Sequence, residues 1–365
     1  MLKIKPKLRF PEFDGEWEEK QLSAILEIGI GKSKVQSNES GKYNILGSTG
    51  IIGKSHTYDY EGDFILTARV GHYAGKLYKH AGKVNISDNT IYLFNFINKN
   101  FIYESLNAFK LEKLVFGSGQ PLIKASDLKK LKIRVPVSKE QKKIGGFFSK
   151  LDQQIELEEQ KLSLLEEQKK GYIQQIFSQE LRFKDENDID YPEWEDKRFE
   201  ELFDFHNNLR KPIRESVRVK GNYRYYGATG VIDFVNDYIF DGEYILIGED
   251  GANIISRSAP LVYLAKGKFW VNNHAHILTP KNGYIYYWFL VADNVNYIKY
   301  NTGTAQPKLN VQNLKNINVN ITSSISEQEK IGGFFKNFYK LIEKQNQKID
   351  GLKERKQGLL QKMFV

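Results

Sequence analysis

The feature of this sequence that most constrains its fold is an internal duplication with a period near 180 residues. Five segments recur in the same order in both halves, which chance agreement does not explain. A period of this length is too long for a solenoid repeat and fits two copies of one domain, each followed by one helix. The sequence therefore predicts a pseudo-twofold internal repeat. The matched positions include Tyr43, Gly47, Thr49, Gly50 and Ile52 with Tyr223, Gly227, Thr229, Gly230 and Ile232, and residues 140–148 with residues 327–335.

The composition limits the classes of function that this chain can have. Its 365 residues are enough for two or three domains. The 54 Lys and Arg residues outnumber the 45 Asp and Glu residues, and the formal charge of +9 favours an anionic partner such as nucleic acid. The absence of cysteine excludes disulfides, thiolate metal sites and cysteine nucleophiles. No run of about 18 apolar residues occurs, so we expect a cytoplasmic protein without a membrane span.

Most of each half is predicted to be rich in strands and turns. Short runs of β-branched and aromatic residues, such as residues 90–94 and 244–247, are separated by Gly, Asn and Asp. Helices are expected near residues 101–109 and 284–295. These patterns predict an α+β chain with two similar α/β domains.

The remainder of each half has the pattern of a long helix. Residues 140–177 and 327–364 contain no proline, are rich in Glu, Lys and Gln, and place apolar residues at heptad spacing. Eight of the ten a and d sites counted from the first isoleucine are apolar in each copy. These sites are Ile144, Phe148, Leu151, Ile155, Glu158, Leu162, Leu165, Lys169, Tyr172 and Ile176, and Ile331, Phe335, Phe338, Ile342, Gln345, Ile349, Leu352, Lys356, Leu359 and Met363.

A heptad stripe is buried only when it packs against a second stripe, and the other copy supplies one. Because the second domain begins where the first helix ends, we expect the two helices to form an antiparallel coiled coil with the domains at its opposite ends. The predicted boundaries are 1–137 for the first domain, 138–180 for a central helical spacer, 181–322 for the second domain and 323–365 for a C-terminal helical spacer. Helices that only dimerise the chain are the alternative.

This order of domain, helix, domain, helix resembles the specificity subunits of type I restriction–modification systems. The resemblance covers essentially the whole chain and depends on the double occurrence of one motif. The residues that carry it are Gly119, Gln120, Pro121, Leu128, Leu131, Ile133, Glu140, Gln141 and Ile144 in the first half, and Gln306, Pro307, Leu309, Leu314, Ile317, Val319, Glu327, Gln328 and Ile331 in the second.

The resemblance implies two target recognition domains that bind a bipartite, asymmetric double-stranded DNA sequence, one half-site each. It also implies partners: two methyltransferase subunits, which bind S-adenosylmethionine and methylate adenine, and restriction and translocase subunits that act in phage defence. S-adenosylmethionine, ATP and Mg²⁺ are expected only on those partners, so no cofactor is expected on this chain.

Reading bases in the major groove requires side chains with paired donors or acceptors. Arg69 lies between an apolar run and Gly71, where a strand should pass into a loop, and its repeat counterpart is Glu249. The flanking residues agree while the charge inverts, as expected of two domains that read different half-sites. The residues predicted to lie at the DNA surface are therefore Arg69, His72 and Tyr73, and Glu249, Asp250 and Asn253. An exposed loop or a structural ion pair is the alternative.

Other candidate DNA contacts have equally plain structural alternatives. Glycine turns bring backbone amides near phosphates, basic residues add salt-dependent affinity, and the loops 118–124 and 304–308 lead each domain back to its helix. The alternative for the glycine turns is simple turn chemistry, and the alternative for the basic residues is a solvated basic surface. The two loops have a structural role as their alternative. The candidates are Ser48 and Thr49, Thr229, Lys32 and Lys34, Arg210 and Lys211, Gln120, Gln306 and Lys308, and His274.

No catalytic or metal site is predicted. Gly31, Lys32 and Ser33 imitate the end of a phosphate-binding loop, but Leu26 stands where that pattern requires glycine. The pair His274 and His276 has no evident further ligand, so contact with DNA is favoured over zinc. We therefore expect a non-catalytic recognition protein; a DNA-acting enzyme and a stand-alone coiled-coil scaffold are the alternatives.

Overall fold

The computed structural model describes residues 5–117, 119–303 and 305–364. Ser118 and Thr304, the first residues of the two predicted return loops, lie outside the described residues. The chain divides into two compact units: unit 1 comprises Met1–Lys161 and Asn346–Val365, and unit 2 comprises Leu162–Gln345. Each of the two long helices therefore contributes to both units.

The first half of the chain contains a six-stranded sheet, a two-stranded sheet and three α-helices. The large sheet has the order β2-β7-β5-β6-β3-β4, and its only parallel pair among the described residues is β3 with β6. Strands β1 and β8 form the small antiparallel sheet. The elements are β1 Glu18–Gln21, β2 Glu27–Ile30, β3 Tyr43–Gly47, β4 Gly50–Ser55, β5 Tyr60–Ala68, β6 Leu77–Ile86, β7 Thr90–Phe94, α1 Lys99–Phe109, α2 Ala125–Lys130, β8 Lys132–Val135 and α3 Ser138–Phe177.

The second half repeats this topology strand for strand. Its large sheet has the order β10-β15-β13-β14-β11-β12, with β11 and β14 parallel, and β9 pairs with β16. The elements are β9 Glu195–Arg198, α4 Phe199–Leu202, β10 Phe203–Phe205, β11 Lys220–Gly227, β12 Gly230–Val235, β13 Phe240–Gly248, α5 Asn253–Ser256, β14 Val262–Val271, β15 Ala275–Pro280, α6 Ile285–Asp293, α7 Val311–Lys315, β16 Asn318–Ile321 and α8 Ile325–Met363. The predicted duplication, mixed domains and helices near 101–109 and 284–295 are confirmed.

Alternation along the central strands of each large sheet fills two cores. In unit 1, Ile65 of β5 faces a core that includes Trp17 and Phe101, while its neighbours Phe64 and Leu66 face a second cluster. Side chains of a strand point alternately to opposite faces, so a run of three apolar residues signals burial on both. Unit 2 has the same pair of cores.

The predicted antiparallel packing of α3 and α8 is confirmed within each unit. In unit 1, Phe148 contacts Phe364 with ring centroids 5.9 Å apart, and Glu158 pairs with Lys348 at 2.6 Å. In unit 2, the Tyr172 ring lies 5.3 Å from Phe334. Residue numbers rise along α3 as they fall along α8. Most of the predicted heptad sites are buried or half-buried, although Tyr172 remains 36% exposed.

The repeated glycine pair near the start of each long helix permits close helix packing. A Cβ atom at Gly145 would lie 2.8 Å from the backbone nitrogen of Phe101 on α1, and one at Gly332 would lie 2.8 Å from that of Tyr287 on α6. No side chain fits in this space. Glycine at these positions therefore lets α1 and α6 dock directly on the long helices, which compensates for its low helix propensity.

Candidate nucleic-acid interface

Four loops of unit 1 are hydrogen-bonded to one another through their backbones. The Arg69 nitrogen donates to Asn89 at 2.8 Å, Gly71 donates to Pro121 at 2.8 Å, and the Ile123 nitrogen donates back to Arg69 at 2.9 Å. A further bond of 2.9 Å, from Ser87 to Leu46, attaches the β3–β4 hairpin. We call the joined segments 48–49, 69–74, 87–89 and 119–123 the first loop cluster.

Unit 2 contains the same four bonds at the matching repeat positions. The Glu249 nitrogen donates to His274 at 2.9 Å, Gly251 donates to Pro307 at 3.0 Å, and Leu309 donates to Glu249 at 2.7 Å. The fourth bond, from Asn272 to Tyr226, measures 3.0 Å. Segments 228–229, 249–253, 272–274 and 305–308 form the second loop cluster. Arg69 and Glu249 thus have equivalent backbone surroundings, and the prolines of the Gly-Gln-Pro and Ala-Gln-Pro segments supply the carbonyls that accept from Gly71 and Gly251, two residues further along each loop.

The two clusters bring most of the predicted contacts together at the surface. Lys32 and Lys34 follow β2, where the Ser33 nitrogen donates to Ile86 beside the first loop cluster. The exposed candidates are Lys32, Lys34, Thr49, His72, Tyr73 and Gln120, and Lys211, Thr229, His274, Gln306 and Lys308. The half-buried candidates are Ser48, Arg69, Arg210, Glu249 and Asp250, and Asn253 is buried.

In and beside the first loop cluster, aromatic rings lie under cationic side chains. Tyr73 is 45% exposed, contacts His72 edge-on at 5.4 Å and lies beneath the Lys76 ammonium at 4.9 Å. Phe116, 43% exposed, lies 4.7 Å beneath the ammonium of Lys124. Such pairs offer stacking and charge to a nucleic acid together. Lys76, Phe116 and Lys124 are further candidates that were not predicted from the sequence, although aromatic residues close to lysine were a usable signal.

In and beside the second loop cluster, the charged candidates bind one another. Arg210 donates to Glu249 at 2.5 Å and also to the backbone oxygens of Asn207, Asn273 and Ala275. The Lys308 ammonium lies 3.5 Å from the other oxygen of Glu249. Glu249 therefore holds two cations in place, and its own side chain is only 13% exposed.

Two histidines flank this ion-pair group in different ways. His276 is buried; its Nε2 donates to the Leu309 carbonyl at 2.8 Å and its Nδ1 accepts from Asn207 at 2.9 Å, an arrangement that fits the neutral ring. Burial lowers the pKa of His276. His274 is exposed and contacts the Asp250 carboxylate at 2.7 Å. Beside this ion-pair group, His274 and Lys308 are the exposed charged or titratable candidates.

The electrostatics of Glu249 follow from its partners. Burial alone would raise the pKa of its carboxyl, but the hydrogen bond from Arg210 and the charges of Arg210 and Lys308 outweigh it, and the pKa lies below its ordinary value. Glu249 is therefore ionised at neutral pH.

Asn253 is placed differently from the prediction. Its amide nitrogen donates to Pro260 at 3.1 Å and its oxygen accepts from the Ala259 nitrogen at 2.9 Å, so both ends serve its own loop. These two bonds explain why a polar side chain occupies this buried position, because a buried amide requires hydrogen-bond partners within the protein.

Within the described ranges, no group of three or more His, Asp and Glu side chains is arranged to hold a metal ion. No described helix is both long enough and apolar enough to cross a membrane.

The fold and the loop clusters define a class of protein in which one scaffold, present twice, holds two chemically different sets of loops. Residues 14–167 and 191–354 match the family model described as the type I restriction modification DNA specificity domain. The chain belongs to this family, whose members are non-catalytic DNA-recognition subunits, as the sequence resemblance predicts.

Individual relatives agree with this assignment. The type I restriction enzyme specificity subunit protein S.HindORF215P of Haemophilus influenzae is 37% identical over 133 residues, which are 35% of this chain and 33% of that protein. This chain thus matches one third of the length of that relative. The crystal structure of a type I restriction–modification S subunit from M. genitalium superposes with a TM-score of 0.71 at 18% identity and covers 99% of both chains.

A second solved chain, from work on complex assembly and conformational transition of the type I system, gives a TM-score of 0.50 at 14% identity over 95% of this chain and 97% of that one. At these identities the two structures support the fold. The predicted fold class is therefore confirmed by both the family model and the solved structures.

Proposed function

We propose that this chain recognises a bipartite, asymmetric double-stranded DNA sequence, one half-site for each unit, and directs adenine methylation or restriction by partner subunits. The observation that carries the proposal is the repeated set of four backbone hydrogen bonds, which places Arg69 and Glu249 at equivalent positions of the same scaffold. The side chains at these two positions have opposite charges. A common scaffold with different side chains is what two unlike half-sites require.

The two loop clusters support different modes of reading. The first presents Arg69 together with the Tyr73 and Lys76 pair, groups suited to guanine edges and to stacking. The second presents His274 and Lys308, with Lys308 and Arg210 held by Glu249. In this proposal Glu249 acts on the second half-site through the cations it positions.

Catalysis in this proposal belongs to the partners. Two methyltransferase subunits supply S-adenosylmethionine, and restriction and translocase subunits use ATP and Mg²⁺. The heptad helices are the proposed docking elements for the methyltransferase subunits.

The decisive experiment is long-read sequencing of DNA methylated by the co-expressed chain and its methyltransferase partners. We expect methyladenine in one split motif with a fixed spacer, and loss of this modification when the chain is deleted. Methylation that is unchanged by deletion would overturn the proposal.

A second experiment separates this function from an enzymatic one. The purified chain alone, incubated with duplex DNA, Mg²⁺ and S-adenosylmethionine, should neither cleave nor methylate. Retention of duplex DNA in a filter-binding assay at low salt distinguishes it from a coiled-coil scaffold, which would retain none.

A further inference from the structure

Each large sheet ends in an edge strand that exposes two adjacent β-branched aliphatic side chains. Ile51 and Ile52 of β4 are 58% and 53% exposed, and Val231 and Ile232 of β12 are 42% and 44% exposed. Exposed aliphatic residues on an unpaired edge favour aggregation, so proteins usually avoid them. Their presence at the same repeat position in both units indicates a shared role. We call these four side chains the bulge pairs.

A β-bulge at the same position in each hairpin creates this exposure. In unit 1 the register passes from Leu46 opposite Ile51 to Ile45 opposite Gly53, which leaves Ile52 as the extra residue. The β11–β12 hairpin has the same irregularity, and Ile232 is the extra residue there. A bulge changes the direction in which neighbouring side chains point and often occurs beside functional sites.

A glycine on the partner strand seats each bulged isoleucine. A Cβ atom at Gly47 would lie 2.7 Å from the Ile52 side chain, and one at Gly227 would lie 3.1 Å from that of Ile232. Each isoleucine thus rests against bare backbone and cannot be displaced inward. The exposed aliphatic surface is consequently held in position before any partner arrives.

The bulge pairs adjoin the loop clusters and basic side chains. The β3–β4 hairpin is bonded to the first loop cluster through Ser87 and Leu46, and a Cβ at Gly248 would lie 2.5 Å from the Ala228 oxygen at the tip of the β11–β12 hairpin. Exposed Lys54 lies on β4, and exposed Arg224 lies opposite a residue of β12.

The charge on and beside these edge strands favours an anionic partner. The acidic residue of β12, Asp233, is paired with Arg218 at 3.1 Å. The aliphatic surface is therefore bordered by the exposed positive charges of Lys54 and Arg224 and by the candidate DNA interface. A nucleic-acid duplex, whose grooves expose sugar and base-edge carbon atoms between rows of phosphates, matches both properties.

We propose that each bulge pair packs against the apolar wall of a DNA groove beside its half-site. This inference rests on the proposed function and adds a contact that both units share. Because both units retain the aliphatic pair, the contact contributes affinity at both half-sites, while the loop clusters discriminate between sequences.

The test measures the binding of a fluorescently labelled duplex that carries the methylated motif, by anisotropy over a series of salt concentrations, with the full-length chain. The double substitutions Ile51→Ser with Ile52→Ser, and Val231→Ser with Ile232→Ser, should each weaken binding about tenfold at every salt concentration. The slope of log Kd against log salt should not change, because no phosphate contact is lost.

Two control variants make the result specific. Ile97→Ser removes an aliphatic side chain that is 66% exposed outside the large sheet, and it should leave the affinity unchanged. Lys34→Gln should reduce the salt slope instead. Unaltered melting temperatures establish that the serine variants are folded.

The outcomes separate this inference from the proposed function. If the unchanged chain binds the duplex and both serine variants bind equally well, the bulge-pair contact is refuted and the proposed function stands. Serine variants that bind DNA normally but fail to assemble with methyltransferase would assign these strands to a protein partner and also refute it. If the unchanged chain binds no duplex, the proposed function fails, and this inference fails with it.

Discussion

The carboxylate of Glu140, fully buried near the start of α3, accepts two parallel hydrogen bonds of 2.7 Å from the guanidinium of Arg9. The bond to Glu140 raises the pKa of Arg9, although burial opposes it. In unit 2 Arg182 contacts both oxygens of Glu327 at 3.3 and 3.4 Å. Each long helix therefore begins with a buried carboxylate that an arginine from a preceding segment neutralises.

Arg9→Met should lower the free energy of unfolding by about 3–5 kcal/mol, because it leaves a buried carboxylate without its cation. Urea denaturation measures this loss. The double variant Arg9→Met with Glu140→Met should recover much of the stability, because no buried charge is left unpaired. A loss of less than about 1 kcal/mol in the free energy of unfolding of the Arg9→Met variant, as is typical of exposed ion pairs, would contradict this account.

Lys356→Met should be far more destabilising than Lys169→Met, although the two lysines are repeat counterparts. The Lys356 ammonium contacts buried Glu104 at 3.0 Å and Asp152 at 2.6 Å, whereas that of Lys169 lies 4.6 Å above the Tyr339 ring. Unpairing Glu104 should cost about 3–5 kcal/mol, and losing the ring contact about 0.5–1 kcal/mol. Equal losses in thermal denaturation would refute the assigned contacts.

The Lys356→Met variant should also recover stability on acidification. Burial raises the pKa of Glu104 even with the lysine present, and Asp152 adds to the effect. A carboxyl whose pKa is raised in the folded protein binds a proton more readily there than in the unfolded chain. Its destabilising effect therefore grows as pH rises through the ordinary carboxyl pKa of about 4.3. We expect the difference from the unchanged chain to shrink between neutral pH and pH 5, as measured by urea midpoints.

Unit 2 should lose stability as pH falls below about 6.5, the ordinary pKa of histidine, because burial lowers the pKa of His276 in the folded state. As pH falls, the unfolded chain therefore binds a proton at this histidine before the folded chain does. The stability that neutral His276 contributes is complete above the ordinary pKa and is lost as pH falls toward the pKa of the folded state. His276→Gln should flatten the dependence of melting temperature on pH between 5 and 7. The control is His274→Gln, which replaces the exposed histidine two residues earlier in the chain.

Substitutions at the equivalent scaffold positions should alter one half-site each. Arg69→Gln should change the bases read in one half of the methylated motif, and Glu249→Gln should change only the other half by releasing Arg210 and Lys308. Methylome sequencing of cells that carry each variant measures both halves at once. An equal loss in both halves would contradict separate reading by the two units.

The duplication, the mixed domains and the heptad helices could be read from the sequence because each depends on local spacing. Apolar residues at every third or fourth position form one helix face, and their repeat near 180 residues identifies two copies. The arginine partners of Glu140 and Glu327 were also detectable, since Leu8-Arg9-Phe10 recurs as Leu181-Arg182-Phe183. A match of only three residues is short beside the five segments that identify the duplication.

Which groups each candidate side chain contacts was decided by tertiary structure alone. Arg210 and Glu249 are 39 positions apart, and nothing in their local sequence indicates that they bind each other. Loop residues carry little periodic information, and their partners depend on how distant strands are paired. The sequence by itself thus determined the repeated scaffold, because periodicity records which faces are buried. Only the fold decided which charges neutralise one another and which face the solvent, because ion pairing depends on distance in space.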